Sequence, residues 1–92
     1  MGKLILKGYV LIPDAELASV IEELPTHIKN TTSEQGCLVF DVSQDKTNKN
    51  KLNVYEEFVN KLAFESHQKR VSGSKWGNAT KNCERHYEII DG

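Results

Sequence analysis

The run from Gly36 to Gln68, GCLVFDVSQDKTNKNKLNVYEEFVNKLAFESHQ, leaves few options for the fold. It reads as strand, polar loop, strand, helix. Alternation puts Leu38, Phe40 and Val42 on one side of the first strand and Cys37, Val39, Asp41 and Ser43 on the other. Gln44 to Asn50 has no apolar residue and is rich in Asp, Asn and Lys, as a hairpin loop should be. The next strand carries Leu52, Val54, Glu56 and Phe58 on one side and Asn53, Tyr55, Glu57 and Val59 on the other. Asn60 is placed to cap a helix with Ala63, Phe64, His67 and Val71 on one stripe. A histidine on the buried stripe of such a helix is the best lead to a site.

The flanks complete the pattern. Lys3 to Ile12 is a strand with apolar residues on both sides, Leu4, Leu6, Val10 and Ile12 on one and Ile5, Tyr9 and Leu11 on the other. A sheet with one wet face alternates more cleanly, so the second face should meet something dry. Gly8 in mid-strand predicts a bulge or a close approach of a neighbour. Pro13-Asp14 opens a helix with Leu17, Val20, Ile21, Leu24 and Ile28 on its stripe. Pro25 predicts a break at Leu24–Pro25, with a short second helix to about Ser33 and Gly36 as the stop. Val71 to Lys81 reads as a loop anchored by Trp76, with room for a helical turn. Glu84 to Asp91 is the last strand. The order strand, helix, strand, strand, helix, strand predicts an α+β fold: a ferredoxin-like βαββαβ antiparallel sheet with helices on one face.

With 92 residues the chain makes one domain, 1–92, with a core small enough to gain from a partner subunit. Twelve basic against 13 acidic residues give a net charge of −1, which argues against nucleic acid or an anionic membrane as partner. No apolar run approaches the ~20 residues of a membrane span. The amino-terminal residues are too short and strand-like a run for a secretory signal, so a cytoplasmic location is expected. The two cysteines, Cys37 and Cys83, are then expected as free thiols. Cys83 and His86 fall on opposite sides of a strand, so no metal site is expected there.

The residues Glu34, Gly36, Cys37, Leu38, Phe40, Val42, Tyr55, Glu56, Ala63, Phe64 and His67 resemble the pattern of the antibiotic biosynthesis monooxygenase family. The likeness is strongest from Glu34 to His67. It implies a dimeric α/β barrel, in which two ferredoxin-like sheets face each other with helices outside. It also implies a small-molecule substrate. Some members oxidise quinols or polycyclic phenols with oxygen and no cofactor. Others degrade haem, using an asparagine on the first strand; this chain has none between Lys3 and Ile12. A further branch isomerises a phosphorylated autoinducer.

His67 is the candidate catalytic base, since an imidazole titrates near working pH. Tyr55, Trp76, Phe40, Phe64 and Tyr87 are candidates for the substrate-binding walls, Phe40 and Phe64 the more core-like of them. Glu56, a carboxylate among apolar neighbours, needs a partner, either His67 or an arginine such as Arg70 or Arg85. The sequence has no flavin or nicotinamide glycine motif, which suits a cofactor-independent monooxygenase acting on a quinol or phenolic small molecule. It suits equally an isomerase of a small phosphorylated carbonyl compound, with Lys69, Arg70 or Lys75 on the phosphate. A third reading is a non-catalytic dimeric module for small-ligand binding or stress response.

Overall fold

A computed structural model describes residues 2–91. Its elements are β1 (Leu4–Leu11), a 3-10 turn (Asp14–Glu16), α1 (Leu17–Thr32), β2 (Cys37–Gln44), β3 (Lys51–Phe58), α2 (Lys61–Ser72), α3 (Lys75–Ala79) and β4 (Glu84–Asp91). The strands form one antiparallel sheet in the order β2-β3-β1-β4. This is the ferredoxin-like arrangement that the element order predicts. Leu4, Leu6 and Val10 of β1 and Leu52, Val54 and Phe58 of β3 are buried on one face, with Val42 of β2, under Val20 of α1 and Phe64 of α2.

The hairpin and α2 form as the sequence predicts. Asp45 orders the β2–β3 loop by accepting hydrogen bonds from the backbone of Thr47 and Asn48 and from the Asn53 amide. Those donors hold its carboxyl well below the ordinary value. The Asn60 side chain accepts from the Ala63 amide at 2.9 Å and caps α2. The run expected as a loop is shared between the end of α2 and the five-residue α3, which carries Trp76.

Gly8 marks a close approach and not a bulge, because the β1 pairing is unbroken on both sides. Its φ is 151°, and a Cβ there would lie 1.9 Å from the His86 carbonyl oxygen of β4.

Two expectations fail. The expected face of Leu38 is one: the register of β2 shifts between Cys37 and Val39, and Leu38 is 51% exposed. A bulge places two residues opposite one, so the alternation that puts Phe40 and Val42 on the core face does not extend back to Leu38. The break at Leu24–Pro25 is the other. α1 runs through Pro25 without a second helix, because Val20, His27 and Thr31, on both sides of the proline, are buried, with the helix packed on the sheet, on Trp76 of α3 and, through Thr31, on Arg70 of α2. Proline removes one helical hydrogen bond and crowds the preceding turn, at roughly 3 kcal/mol in a helix interior. Packing on both sides of an exposed ring outweighs that cost.

Pro25→Ala should therefore stabilise the protein. The restored hydrogen bond is partly offset by a freer unfolded chain, leaving a net gain of about 1–2 kcal/mol. Thermal unfolding should move up by roughly 5–10 °C for a domain of this size. An unchanged or lower midpoint would mean that α1 does not run through Pro25 in solution.

Candidate active site

α1 ends at Thr32, and Ser33 to Gly36 turn the chain into β2. Gly36 takes φ 93°, and a Cβ there would sit 2.7 Å from the Cβ of Ala63 on α2. The turn therefore lies directly against α2, and Glu34 enters the space between helix and sheet. His67 and Arg70 are three apart on α2, so they project to the same side. The His67 Nδ1–H donates to Glu34 Oε1 at 2.7 Å, and Arg70 Nε–H donates to Oε2 at 2.5 Å. Arg70 also donates to the Thr31 hydroxyl at 3.1 Å.

Each group titrates according to its surroundings. Burial alone would raise the Glu34 carboxyl, but the hydrogen bonds from Arg70 and His67 together hold it below its ordinary value. Burial lowers the His67 imidazole, and the Glu34 carboxylate restores only part of the loss. His67 is thus neutral at working pH. With Nδ1–H committed to Glu34, its Nε2 carries the lone pair, has no partner among the described residues and is free to accept a proton.

His67 lines a cavity of about 70 Å³ together with Leu6, His27, Glu56, Trp76, Arg85 and Tyr87 among others. Its ring packs between Phe58 and Phe40, with centroids 5.1 and 5.9 Å away. Trp76 stacks flat on His27 of α1, with ring centres 4.4 Å apart and planes 4° from parallel. The short α3 makes this possible: Ser74 caps it, and a Cβ at Gly77 would lie 2.2 Å from the Val71 carbonyl oxygen. The stack stands between the His67 cavity and a second one of about 90 Å³ lined by Glu23, Thr26, Asn30, Arg70, Ser74 and Lys75 beside the two rings.

Of the residues singled out from sequence, His67, Trp76 and Tyr87 meet at the cavity. Phe40 does not line it and instead packs edge-on against both histidine rings. Phe64 packs on Phe58 in the core. Tyr55 lies on the opposite face of β3, pointing away from His67, and its hydroxyl donates to Glu57. Period-two alternation separates it from Glu56 and could have placed it there. The pairing expected for Glu56 is also overturned. Glu34 occupies both His67 and Arg70, and Arg85 donates to Thr80 at 2.8 Å. Among the described residues Glu56 has no ion pair, and burial, then the nearby Glu34 charge, push its carboxyl up to about 7. Burial and Glu56 likewise push the Tyr87 phenol up to about 12.

His27 is the residue that sequence reading missed. It is 6% exposed on the same stripe of α1 as Val20 and Thr31, spaced by seven and four residues. That spacing is visible in the sequence, but the apolar stripe of Leu17, Val20, Ile21, Leu24 and Ile28 beside it masks it.

Comparison with known proteins places these features in a family. The sequence model described as "Antibiotic biosynthesis monooxygenase" matches residues 5–76. A search of curated proteins finds no match. Solved structures share the fold at low identity. A conserved protein of unknown function from Bacteroides thetaiotaomicron, described as a possible oxidoreductase, is 16% identical, with a TM-score of 0.77 over 99% of this chain and 98% of its own. A putative antibiotic biosynthesis monooxygenase from Nitrosomonas europaea is 13% identical, with a TM-score of 0.75 over 100% and 92%. Another from Deinococcus radiodurans is 19% identical, with a TM-score of 0.74 over 97% and 91%.

The titration of Glu56 is directly testable. The folded chain keeps its proton up to about pH 7, whereas an unfolded glutamate releases it near 4.5. The folded state binds the extra proton between these values, so stability falls as pH rises through that window and the penalty is complete above it. Glu56→Gln removes the penalty. Urea unfolding should find the variant matched to wild type below pH 4.5 and more stable by about 2–3 kcal/mol at pH 8. Equal stability at both pH values would show Glu56 to be charged and solvated.

Proposed function

The chain belongs to the antibiotic biosynthesis monooxygenase family, and from that premise we propose that it is a cofactor-independent monooxygenase of a small quinol or phenol. The observation that carries this reading is the Glu34–His67 pair at a cavity walled by Trp76 and Tyr87. His67 Nε2 removes the phenolic proton, and Glu34 stabilises the imidazolium that results. Arg85 at the cavity wall offsets the charge of the phenolate. The electron-rich anion gives one electron to dioxygen. The aryloxyl radical and superoxide then recombine to form a carbon–oxygen bond. The peroxide takes back the proton from His67 and loses water. One oxygen atom stays in the quinone product and the other leaves as water, so phenol and dioxygen balance quinone and water.

The cavity volume supports a small substrate. Drug-sized ligands fill roughly 300 Å³ or more, whereas the space at His67 is about 70 Å³. A single ring presented by its edge fits this reading better than a polycyclic one. The phosphorylated-substrate alternative has less behind it, because Arg70 is already committed to Glu34 and Thr31.

The proposal extends to a cytoplasmic homodimer. Among the described residues no helix is long and apolar enough to cross a membrane. Ile5, Tyr9, Leu11, Tyr55 and Ile90 share the face of the sheet that carries no helix, and Ile90 is 39% exposed. Tyr9 and Leu11 would meet the second copy. Sedimentation at micromolar concentration should give twice the mass of one chain. A monomer would remove the dimer from the proposal.

Replacing His67 with alanine should lower oxygen uptake on quinols by about 10²-fold or more. The variant should also melt lower, since a buried side chain and the Glu34 hydrogen bond are lost. Glu34→Gln keeps the shape and weakens the base, so its rate should fall less while its pH profile shifts to lower pH. Unchanged uptake in folded His67→Ala would overturn the assignment of the base.

A further inference from the structure

Neither the Glu34 clasp nor the proton transfer at His67 requires a histidine at position 27 of α1. The residue is 6% exposed, and its Nδ1 is fully buried without any hydrogen-bond partner. It is the single such side-chain atom among the described residues. An unsatisfied buried polar group is destabilising, a loss that an apolar side chain at this point on the stripe would avoid. Stacking on Trp76 does not account for it either, because a phenylalanine would stack as well.

The surroundings limit what the ring can do. Trp76 covers one face, and Phe40 meets the ring at 78° with centroids 5.3 Å apart. His67 stands across from it, with ring centres 6.2 Å apart and planes tilted by 38°. A flat ligand would need about 7 Å to slide between two rings, twice a carbon–carbon contact of ~3.5 Å. Only the edge of a ligand, with its oxygen substituents, can reach the pair. The buried Nδ1 is cheapest as a lone pair, since orphaned N–H groups are the rarer case. That leaves the proton on Nε2, which is not sealed from the cavities that His27 lines. Burial, then the charge His67 carries when protonated and that of Arg70, hold the imidazole down to about 4, so it stays neutral. His67 offers an acceptor and His27 a donor, side by side.

We propose that His27 is a second substrate-binding residue, donating a hydrogen bond to an oxygen adjacent to the hydroxyl that His67 deprotonates, so that the cavity selects a catechol or an ortho-hydroxyaryl ketone over a simple phenol. The inference rests on the reading of His67 as the base and adds the substrate class to it. An ortho pair of oxygens presents a donor and an acceptor on one edge, which matches the two rings. A lone hydroxyl satisfies His67 and leaves His27 unpaired.

The chain has one tryptophan, Trp76, and it lies on His27, so its fluorescence reports binding at this place. Catechol and phenol are titrated against the protein without oxygen, which prevents turnover. One additional hydrogen bond of about 1.4 kcal/mol makes wild type bind catechol roughly tenfold more tightly than phenol. His27→Phe keeps the stack and has no donor: it should bind phenol as wild type does and lose the preference. His27→Gln, which carries an amide donor, should recover part of it. His27→Met, apolar and suited to a helix, takes the place of the phenylalanine variant if that one does not fold. A preference that survives in His27→Phe or His27→Met overturns the proposal. So does wild type that binds the two compounds equally, or binds neither. Binding is read here without chemistry, so such a failure leaves the His67 base to be judged by oxygen uptake. A catalytically silent His67 would, conversely, leave the catechol preference measurable.

Discussion

The Glu34 carboxylate, clasped between His67 and Arg70, is the interaction on which the rest of the site depends. It lies in the turn after α1, while both of its donors lie on α2. The clasp thus joins the two helices on the covered face of the sheet. Breaking such a group by removing one partner is costly, because a partly buried charge would be left without compensation. The same geometry sets the chemistry. A carboxylate on Nδ1 fixes the tautomer of His67 and turns its other nitrogen toward the cavity. Arg70 keeps that carboxylate ionised against the burial that would protonate it. Structure and reactivity therefore share one set of atoms, and a substitution at Glu34 would disturb both.

Around that clasp the cavity sorts its titratable groups by environment. Glu34 has two donors and stays charged. Glu56, on the neighbouring strand, has none and retains its proton to about pH 7. The two carboxyls thus avoid mutual repulsion by holding different protonation states. His27 and His67 are both held neutral by burial, but only His67 is hydrogen-bonded to a carboxylate. A charged carboxylate, a protonated carboxyl, a base and a neutral hydrogen-bond donor result from two pairs of side chains whose free pKa values would not distinguish the members of either pair.

Much of this was legible in the sequence because the strongest signals are local. Alternation located β3 and its buried set, Asn60 located the start of α2, and a stripe located His67. Failures arose where local preference and tertiary packing disagree. Pro25 has a strong intrinsic tendency to end a helix, yet burial on both sides of it holds α1 together. Leu38 follows the alternation of its strand until a bulge, which leaves no mark in composition, rotates it outward. Glu34 carried no sign of its role beyond belonging to a pattern, because its partners lie far along the chain and meet it only when Gly36 seats the turn on Ala63. Tyr55 shows the reverse: its residue type suits a pocket wall, while its position in the alternation sends it to the other face.

The register between β1 and β4 has a consequence for how the domain is assembled. β1 occupies the interior of the sheet, yet one of its neighbours is the strand at the far end of the sequence, with Leu4 opposite Asp91 and Leu11 opposite Glu84. While the chain is being synthesised, β1, α1 and the β2–β3 hairpin can associate, and one side of β1 keeps its backbone groups unpaired until β4 emerges. Gly8 stands in the middle of that waiting edge, with too little room for any side chain once β4 arrives. Closing the sheet is thus a late, long-range step, and the two ends of the domain finish side by side. Such a layout suits a circular permutation that joins β4 to β1 and opens the chain at the polar β2–β3 loop.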